Sequence, residues 1–418
     1  MDFKLQDQVA LVTGASRGLG KAIAFALAAE GCRLAIIARG CETLKETAEQ
    51  LQLAGADVLA IPADVTVTAD LERVVERTLT HYGHEAFYGQ ICYHLGWVDT
   101  QFAPVRQNMG KLLRPTLLLL AYEAAGAWEL ATTRVNTAHL HRALPAAAAI
   151  ELFHNFTLMH DDIEDGDAER RLRPTAWMLW GIPQAINTGD GLYSLSRLTL
   201  FWLLDEGVEA SLVAHLGRRF DRACLSVIEG QHLDLSFEDR QEISVSMYLQ
   251  MITRKTAALM ECAAEMGALL GTSDQQVIDR LRQFGLALGV AFQVRDDLLG
   301  IWATRTQSGK TPTGDLYRRK KTLPVLYALQ QASPQGQAFL RTVYQQKEPL
   351  SPQQVAQMLE ILEQTQSRAF CQRYLAEQCQ RAHEVLVGMP HVPVPIAQQA
   401  FSDLEALLFY IREDIGTP

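Results

Sequence analysis

The chain has 418 residues, of which 48% are hydrophobic and 21% charged, and its formal net charge is −10. That composition fits a globular protein with room for two domains, and the negative charge argues against a nucleic-acid partner or a basic membrane-docking surface. The seven cysteines are scattered and form no Cys-x-x-Cys pair, which predicts reduced thiols and a cytoplasmic location. The most apolar run, residues 117–120, is too short to cross a bilayer, and no basic leader begins the chain, so neither a membrane span nor a signal peptide is expected.

The first 82 residues alternate between strand and helix patterns. Strands are predicted at 9–12, 33–38 and 57–62. Helices are predicted from the glycine-rich turn at 13–20 to about residue 30, and over 42–54 and 70–81. This alternation predicts a small parallel three-stranded sheet, a partial Rossmann segment over 1–83.

The turn after the first strand contains Gly14, Gly18 and Gly20 in the sequence Thr-Gly-x-x-x-Gly-x-Gly. Glycines in this context let backbone N–H groups and a helix N-terminus approach a phosphate. The motif resembles that of the short-chain dehydrogenases over residues 1–82. The resemblance implies NADP as a cofactor. Its contacts would be Gly14, Arg17, Gly18 and Gly20, with Arg39 at the 2′-phosphate and Asp64 beside the adenine.

The catalytic part of that family does not follow. No Asn-Ala-Gly follows Gly83, and the one Tyr-x-x-x-Lys match, Tyr317 with Lys321, lies in a different motif. Because the fourth strand of such a sheet is also missing, strand 9–12 becomes an apolar edge. We expect the helical part of the chain or a partner subunit to cover this edge, unless the segment is poorly stable.

After residue 83 long Leu- and Ala-rich helical stretches predict a mainly α domain over 84–418. Within it, helical spacing in Asp-Asp-Ile-Glu-Asp places Asp161 and Asp165 on one face, where a hard cation such as Mg²⁺ is needed to neutralise the carboxylates. Arg170 and Arg171 follow closely and suit a multiply charged anion such as diphosphate. The alternative is a solvated charge run at a helix end.

Further charged and polar segments accompany this motif in a fixed order. They are Lys111 with Arg114, His154, Gly230–Asp234, Lys255-Thr256, Gln293 with Asp296-Asp297, Gly309-Lys310, Asp315 and Lys320-Lys321. Their order and spacing resemble the trans-polyprenyl diphosphate synthases over residues 84–418. The resemblance implies an all-α isoprenoid synthase helical bundle, a homodimer. It also implies a reaction that condenses isopentenyl diphosphate with an allylic diphosphate by ionisation, condensation and elimination.

The same resemblance implies a role for each matching residue. Three Mg²⁺ ions would bind with the diphosphate at Asp161, Asp165 and Asp296, supported by Asp162. The allylic diphosphate would be held by Arg170, Lys255, Lys310 and Lys320. Isopentenyl diphosphate would be held by Lys111, Arg114, His154 and Arg171. Thr256 and Gln293 would face the allylic cation with oxygen dipoles.

The second acidic motif departs from the family pattern, because Gly300 stands where a third acid is expected. With Asp296 retained, weakened metal affinity is expected rather than lost activity. Phe156 lies about 7.5 Å before Asp161 along a helix. By the family resemblance, an aromatic there favours a C20 product within the C15–C20 range; ordinary core packing is the alternative.

Three other functions stay open from the sequence alone. The chain could be a catalytically weak or regulatory homologue, for which Gly300 is the only support. It could be an NADP-dependent oxidoreductase acting through residues 1–82, although the catalytic residues are missing. It could be a class I terpene cyclase, but a cyclase has no use for an isopentenyl diphosphate site, and Lys111, Arg114 and His154 argue against it.

Overall fold

A computed structural model of the chain describes residues 6–63, 86–105, 110–126, 137–240, 242–303, 313–389 and 395–412. The chain divides into two compact units. Unit 1 contains Met1–Lys111 and His154–Tyr193, and unit 2 contains Leu112–Phe153 and Ser194–Pro418. The predicted domain boundary near residue 83 lies outside the described residues, so the division into domains 1–83 and 84–418 stays a prediction.

Helices dominate the described residues, which confirms the mainly α class. The helices are α1 Gly18–Ala29, α2 Cys41–Leu53, α3 Ala86–His94, α4 Leu113–Ala125, α5 Leu144–Glu164, α6 Ala176–Trp180, α7 Ile182–Phe201, α8 Ala210–Asp239, α9 Val245–Ile252, α10 Ala258–Gly271, α11 Gln275–Trp302, α12 Gly314–Tyr317, α13 Leu323–Gln331, α14 Pro334–Gln345, α15 Pro352–Gln364, α16 Ser367–Val387 and α17 Pro395–Arg412. The strands are β1 Val9–Thr13, β2 Arg33–Ala38, β3 Val58–Pro62, β4 Glu169–Arg170 and β5 Arg173–Pro174. Among the helices described, none is long and apolar enough to span a membrane.

The N-terminal sheet has the predicted three parallel strands, in the order β1-β2-β3. Its core is the central strand β2, which is buried against apolar residues of α1 and α2 such as Ala24 and Leu44. Within the described part of the chain β1 pairs with β2 alone, and its Leu11 side chain is 47% exposed. β1 is therefore the edge that the sequence predicts. What covers it stays a prediction, and the helix predicted at 70–81 lies outside the described residues.

The core of unit 2 depends on close contact between helix backbones. A Cβ atom at Gly267 of α10 would overlap the carbonyl oxygen of Leu118 on α4, and one at Gly271 would lie 2.6 Å from the carbonyl oxygen of Tyr122. Only a glycine lets α4 and α10 approach this closely. Helix α11 packs against both α10 and α16. This packing holds α11 in place, and α11 carries the second acidic motif near its C-terminal end.

Candidate functional site

The first acidic motif lies at the C-terminal end of α5, in unit 1. The Asp165 N–H donates to the Asp161 carbonyl oxygen at 2.8 Å, so the predicted helical spacing of these two acids is present. Asp161 is half-buried and Asp165 is exposed. Carboxylates at this end of a helix meet the negative pole of the helix dipole, which is unfavourable unless a cation is close. The location therefore suits a cation-binding role.

Asp162 is the buried member of the motif and makes an ion pair with Arg170. The Arg170 Nε donates to Asp162 Oδ1 at 2.6 Å, while only 2% of the Asp162 side chain is exposed. Burial raises the pKa of Asp162 to about 6, and Arg170 only partly offsets this effect. Within the part of the chain that the structure describes, the other oxygen, Oδ2, is buried without a hydrogen-bond partner. Asp162 therefore holds the first arginine of the pair in place.

Arg170 and Arg171 are presented by a very short hairpin, β4–β5. Arg171 and Leu172 form its two-residue turn with φ angles of 53° and 64°. Positive φ at both central positions is the pattern of a type I′ hairpin turn, which normally favours Asn and Gly. Neither residue is of that kind, so tertiary contacts must maintain the turn.

Arg173 supplies those contacts, and it is a residue that the sequence analysis missed. Its guanidinium donates to the carbonyl oxygens of Tyr93 at 3.0 Å and Val98 at 2.7 Å, and it stacks 3.8 Å from the centroid of the Tyr93 ring. The Tyr93 hydroxyl in turn donates to the Pro174 carbonyl oxygen at 2.9 Å. The hairpin is thus fixed to α3. The sequence feature that could have pointed to Arg173 is that it is the third arginine within residues 170–173.

Lys111 and His154 are the other predicted substrate-binding residues of unit 1. A Cβ atom at Gly110, whose φ is 98°, would lie 2.9 Å from a terminal nitrogen of Arg171. The glycine therefore lets the Arg171 guanidinium lie against the backbone next to Lys111, which is exposed. His154 is half-buried in α5, and its carbonyl oxygen accepts the Thr157 hydroxyl at 2.7 Å. The structure thus brings the segment that carries Lys111 to Arg171.

His94 is a second residue that sequence reasoning missed. Its Nε2 atom is buried and has no hydrogen-bond partner among the described residues. Burial, together with the positive charges of Arg170 and Arg171, lowers the pKa of His94 to about 3. The neutral ring therefore lies in a strongly positive environment, as expected beside an anion-binding site. Nothing in the spacing of the sequence points to it.

In unit 2, Lys255 and Thr256 lie on a π-helical turn, Thr253–Ala257, between α9 and α10. Such turns are frequent at functional sites. The Lys255 Nζ pairs with Asp234 Oδ2 of α8 at 2.5 Å. A Cβ atom at Gly230 would overlap the Lys255 backbone, so this glycine allows α8 to reach the turn. The predicted Gly230–Asp234 segment therefore contacts the turn that carries Lys255 at both of its ends.

A buried hydrogen-bond network joins Thr256 to the second acidic motif. The Thr256 hydroxyl donates to Gln293 Oε1 at 2.8 Å, and Gln293 Nε2 donates to Asp297 Oδ1 at 3.0 Å. Asp297 Oδ2 accepts the Tyr248 hydroxyl at 2.6 Å and the Leu323 N–H at 3.1 Å. Burial raises the pKa of Asp297 to about 7, while these three hydrogen bonds lower it. Sequence reasoning missed Tyr248 and gave Asp297 no role.

Asp296 is half-buried beside Asp297, and Gly300 follows one helical turn later. A Cβ atom at Gly300 would overlap the Asp315 carboxylate, so that carboxylate occupies the space of the missing side chain. Elsewhere in unit 2, burial lowers the pKa of Arg114 to about 10, against the opposing effect of Glu151. Lys320 is exposed. Lys310 and Asp64 lie outside the described residues.

The Tyr317–Lys321 pair has a structural explanation. The Lys321 Nζ donates to the carbonyl oxygens of Phe237, Glu238 and Arg240, at distances from 2.6 to 2.9 Å. This ammonium therefore caps the C-terminal end of α8. Its three donors are used in this way, so the chance match to an oxidoreductase motif gains no support.

The glycine-rich turn of the N-terminal sheet is formed as the sequence predicts. Gly14 and Gly18 have φ values of 63° and 59°, and a Cβ atom at Gly20 would lie 2.6 Å from the Gly14 carbonyl oxygen. Arg17 and Arg39 are exposed. The turn alone does not define a cofactor, and NADP binding stays a prediction.

Comparisons with known proteins match the two parts of the chain separately. The polyprenyl synthetase family model matches residues 97–362, and the short chain dehydrogenase family model matches residues 8–84. The (2E,6E)-farnesyl diphosphate synthase of Mycobacterium bovis is 38% identical over 275 residues, which are 65% of this chain and 72% of that protein. The geranylgeranyl diphosphate synthase of Mycobacterium tuberculosis is 35% identical over 353 residues, 83% of this chain and 96% of that protein.

A solved structure shares the fold. The polyprenyl synthetase from Streptomyces coelicolor A3(2) aligns with a TM-score of 0.70 and 32% identity, over 82% of this chain and 96% of that chain. A mainly α fold with acidic motifs and fixed cations is typical of the isoprenoid synthase class. The chain belongs to the polyprenyl synthetase family, and it is an enzyme that transfers prenyl groups. The predicted fold and both predicted resemblances are confirmed.

Proposed function

We propose that the protein condenses isopentenyl diphosphate with an allylic diphosphate to form a C15–C20 polyprenyl diphosphate, with C20 favoured. The observation that carries this proposal is the arrangement of Arg170. A hairpin fixed to α3 holds it against Asp162, directly after an acidic helix end. A fixed cation next to carboxylates is what metal-assisted loss of a diphosphate requires. The names of the two mycobacterial relatives support the same reaction.

The metal in this proposal is Mg²⁺, held by Asp161, Asp165 and Asp296. All three offer carboxylate oxygens, the donors that Mg²⁺ prefers. No group of three or more His, Cys, Asp or Glu side chains within the described ranges could hold a metal by itself. Mg²⁺ is usually bound by one or two carboxylates together with substrate phosphate oxygens. When bound, Mg²⁺ would neutralise the charge that builds up on the departing diphosphate.

The cationic side chains divide between the two substrates in this proposal. The allylic diphosphate is bound by Arg170, Lys255, Lys310 and Lys320. Isopentenyl diphosphate is bound by Lys111, Arg114, His154 and Arg171. When the allylic C–O bond breaks, the diphosphate leaves and an allylic cation remains. The double bond of isopentenyl diphosphate attacks this cation, and loss of a proton completes the condensation. Thr256 and Gln293 direct oxygen atoms towards the positive charge.

A comparison of KM values tests this division. Lys111→Ala is expected to raise the KM for isopentenyl diphosphate by about tenfold or more and to leave the allylic KM within about twofold. Lys255→Ala is expected to do the reverse and to lower kcat as well. The exposed Lys347 provides a control, because Lys347→Ala removes a cation that belongs to neither group. Equal increases of both KM values in both variants would contradict the assignment.

A further inference from the structure

Asp297 is the one acid of the second motif to which the proposed reaction gives no task. It is 2% exposed and belongs to unit 2, as do all its partners. Its two oxygens accept three hydrogen bonds, from the Tyr248 hydroxyl, the Leu323 N–H and the Gln293 side-chain amide. A carboxylate engaged in this way on both oxygens is well placed to orient its donors and poorly placed to bind a metal.

The hydrogen bonds of this network run in one direction. All three partners of Asp297 donate to its carboxyl oxygens, and Gln293 therefore turns its Nε2 atom towards Asp297 Oδ1. Gln293 Oε1 then faces Thr256 and accepts its hydroxyl hydrogen. The single hydroxyl hydrogen of Thr256 is already donated to Gln293, so only the lone pairs of Oγ1 remain for other contacts. Asp297 thereby fixes the polarity of both side chains, so that oxygen lone pairs, and not hydrogens, remain for further contacts.

We propose that Asp297, anchored by Tyr248, is a positioning residue. It keeps the side chains of Thr256 and Gln293 turned so that their oxygen lone pairs, and not their hydrogens, can stabilise a positive charge. The inference rests on the proposed function, in which these two side chains face the allylic cation. Dipoles that are already oriented before the charge forms lower the barrier, because they do not have to reorganise during the reaction. The reversed polarity would turn N–H hydrogens towards a cation.

Asp297→Asn, alone and combined with Gln293→Glu, separates the direction of the hydrogen bonds from the net charge. In Asp297→Asn, the new amide keeps its oxygen on the Tyr248 side, because both groups there are donors, and its NH₂ group faces Gln293. Gln293 then flips, and the Thr256 hydroxyl becomes an acceptor. In Asp297→Asn with Gln293→Glu, the new carboxylate accepts from the NH₂ group of the new amide and from the Thr256 hydroxyl. In the double variant the Thr256 hydroxyl therefore donates again, as in the wild type, and the net charge is that of the wild type, although the hydrogen bond between positions 293 and 297 is reversed.

The first measurement is steady-state prenyl transfer by the full chain with Mg²⁺. Asp297→Asn is expected to lower kcat by about 10- to 100-fold with both KM values within about threefold, since only stabilisation of the transition state is lost. The double variant is expected to return to within about fivefold of the wild type. Tyr248→Phe is expected to lower kcat by a smaller factor. Tyr122→Phe is the matched control, because Tyr122 is equally buried and donates one hydrogen bond, to the His139 carbonyl oxygen at 3.1 Å.

The second measurement does not depend on turnover. An allylic diphosphate analogue with a protonated amine at the cationic carbon is compared by calorimetry with its neutral carbon counterpart, in the presence of Mg²⁺. The wild type and the double variant are expected to prefer the charged analogue, and Asp297→Asn is expected to lose that preference by about tenfold.

The possible outcomes are distinct. Wild-type kcat in Asp297→Asn, or a folded double variant that recovers neither kcat nor the preference for the charged analogue, overturns the inference and leaves prenyl transfer intact. If the wild type neither condenses the substrates nor binds either analogue, the proposed function fails, and the inference fails with it.

Discussion

Asp162 shows two opposing effects on a single carboxyl group. Burial raises its pKa to about 6, although the Arg170 guanidinium lies 2.6 Å away. An ion pair at the surface would lower the pKa of an acid, but here the loss of hydration has the larger effect. The pair therefore serves to position Arg170 and contributes little to stability.

This balance predicts how stability depends on pH in the metal-free protein. Because the pKa of Asp162 is raised in the folded state, its stabilising contribution is full below pH about 4 and is lost as the pH rises through about 6. The loss amounts to about 2–3 kcal/mol. Urea unfolding in EDTA should show that the free energy of unfolding declines less from pH 4 to pH 7.5 in Asp162→Asn than in the wild type. Replacement of the exposed Asp205 should leave the decline unchanged, and an equal decline in Asp162→Asn would contradict this account.

Gly300 gives a second prediction for a single residue. Restoring the third acid with Gly300→Asp is expected to cost about 1–3 kcal/mol and to bring no gain in metal affinity, because the Asp315 carboxylate already occupies that space. Thermal unfolding and a Mn²⁺ titration provide the measurements. Gly217→Ala is the control, since a Cβ atom there meets only the end of Arg197 at 3.8 Å. A stable Gly300→Asp protein with tighter metal binding would contradict the expectation.

The sequence predicted the charged residues of the site better than their contacts. Spacing within one helix was enough to place Asp161 and Asp165, because those positions depend on local geometry. The Tyr248–Asp297 contact joins residues 49 positions apart in the chain, and no local pattern contains that information. The same is true of Arg173, whose partners on and after α3 are 75 to 80 residues away.

At the scale of elements, the β4–β5 hairpin depends on Arg173. Arg173→Ala removes two hydrogen bonds and a ring contact that hold the strained turn at Arg171 in place. We expect the KM for isopentenyl diphosphate to rise by about three- to tenfold, although Arg173 does not itself bind substrate in this account. Steady-state kinetics provides the measurement, with Arg341→Ala on the exposed face of α14 as the control. An unchanged KM would mean that the hairpin keeps its shape without Arg173.

Helix α5 carries the prediction for product length. Phe156 is half-buried and contacts the rings of His160 and Tyr193, with centroids 4.6 and 5.4 Å away. If Phe156 limits the growing chain, Phe156→Ala should lengthen the product by one or more isoprene units, as seen by chromatography of the dephosphorylated alcohols. Phe409→Ala, at an exposed phenylalanine in α17, is the control. An unchanged product would show that Phe156 is ordinary core.

Element types were largely predictable, and local distortions were not. The alternation of patterns gave the three strands and the edge position of β1, because parallel crossovers follow fixed rules. The π-helical turn at Thr253–Ala257 and the hairpin turn at Arg171-Leu172 have no such signal. In the hairpin, residues without a preference for positive φ adopt it because contacts elsewhere in unit 1 compensate.

At the scale of the whole molecule, the two family matches divide the chain unequally. The polyprenyl synthetase match covers residues 97–362, and the dehydrogenase match ends at residue 84. The compact units follow different limits, because unit 1 joins the N-terminal residues with His154–Tyr193. Sequence motifs predict which family each segment resembles, whereas the units reflect contacts between distant segments.

We propose above all that this chain elongates prenyl diphosphates. The most direct measurement incubates the full chain with Mg²⁺, labelled isopentenyl diphosphate and, in turn, dimethylallyl, geranyl or farnesyl diphosphate, and identifies the products. We predict elongation from each allylic substrate with C20 as the longest main product, and no product in EDTA. The absence of condensation with all three allylic substrates, or cyclic hydrocarbons formed without isopentenyl diphosphate, would contradict the claim.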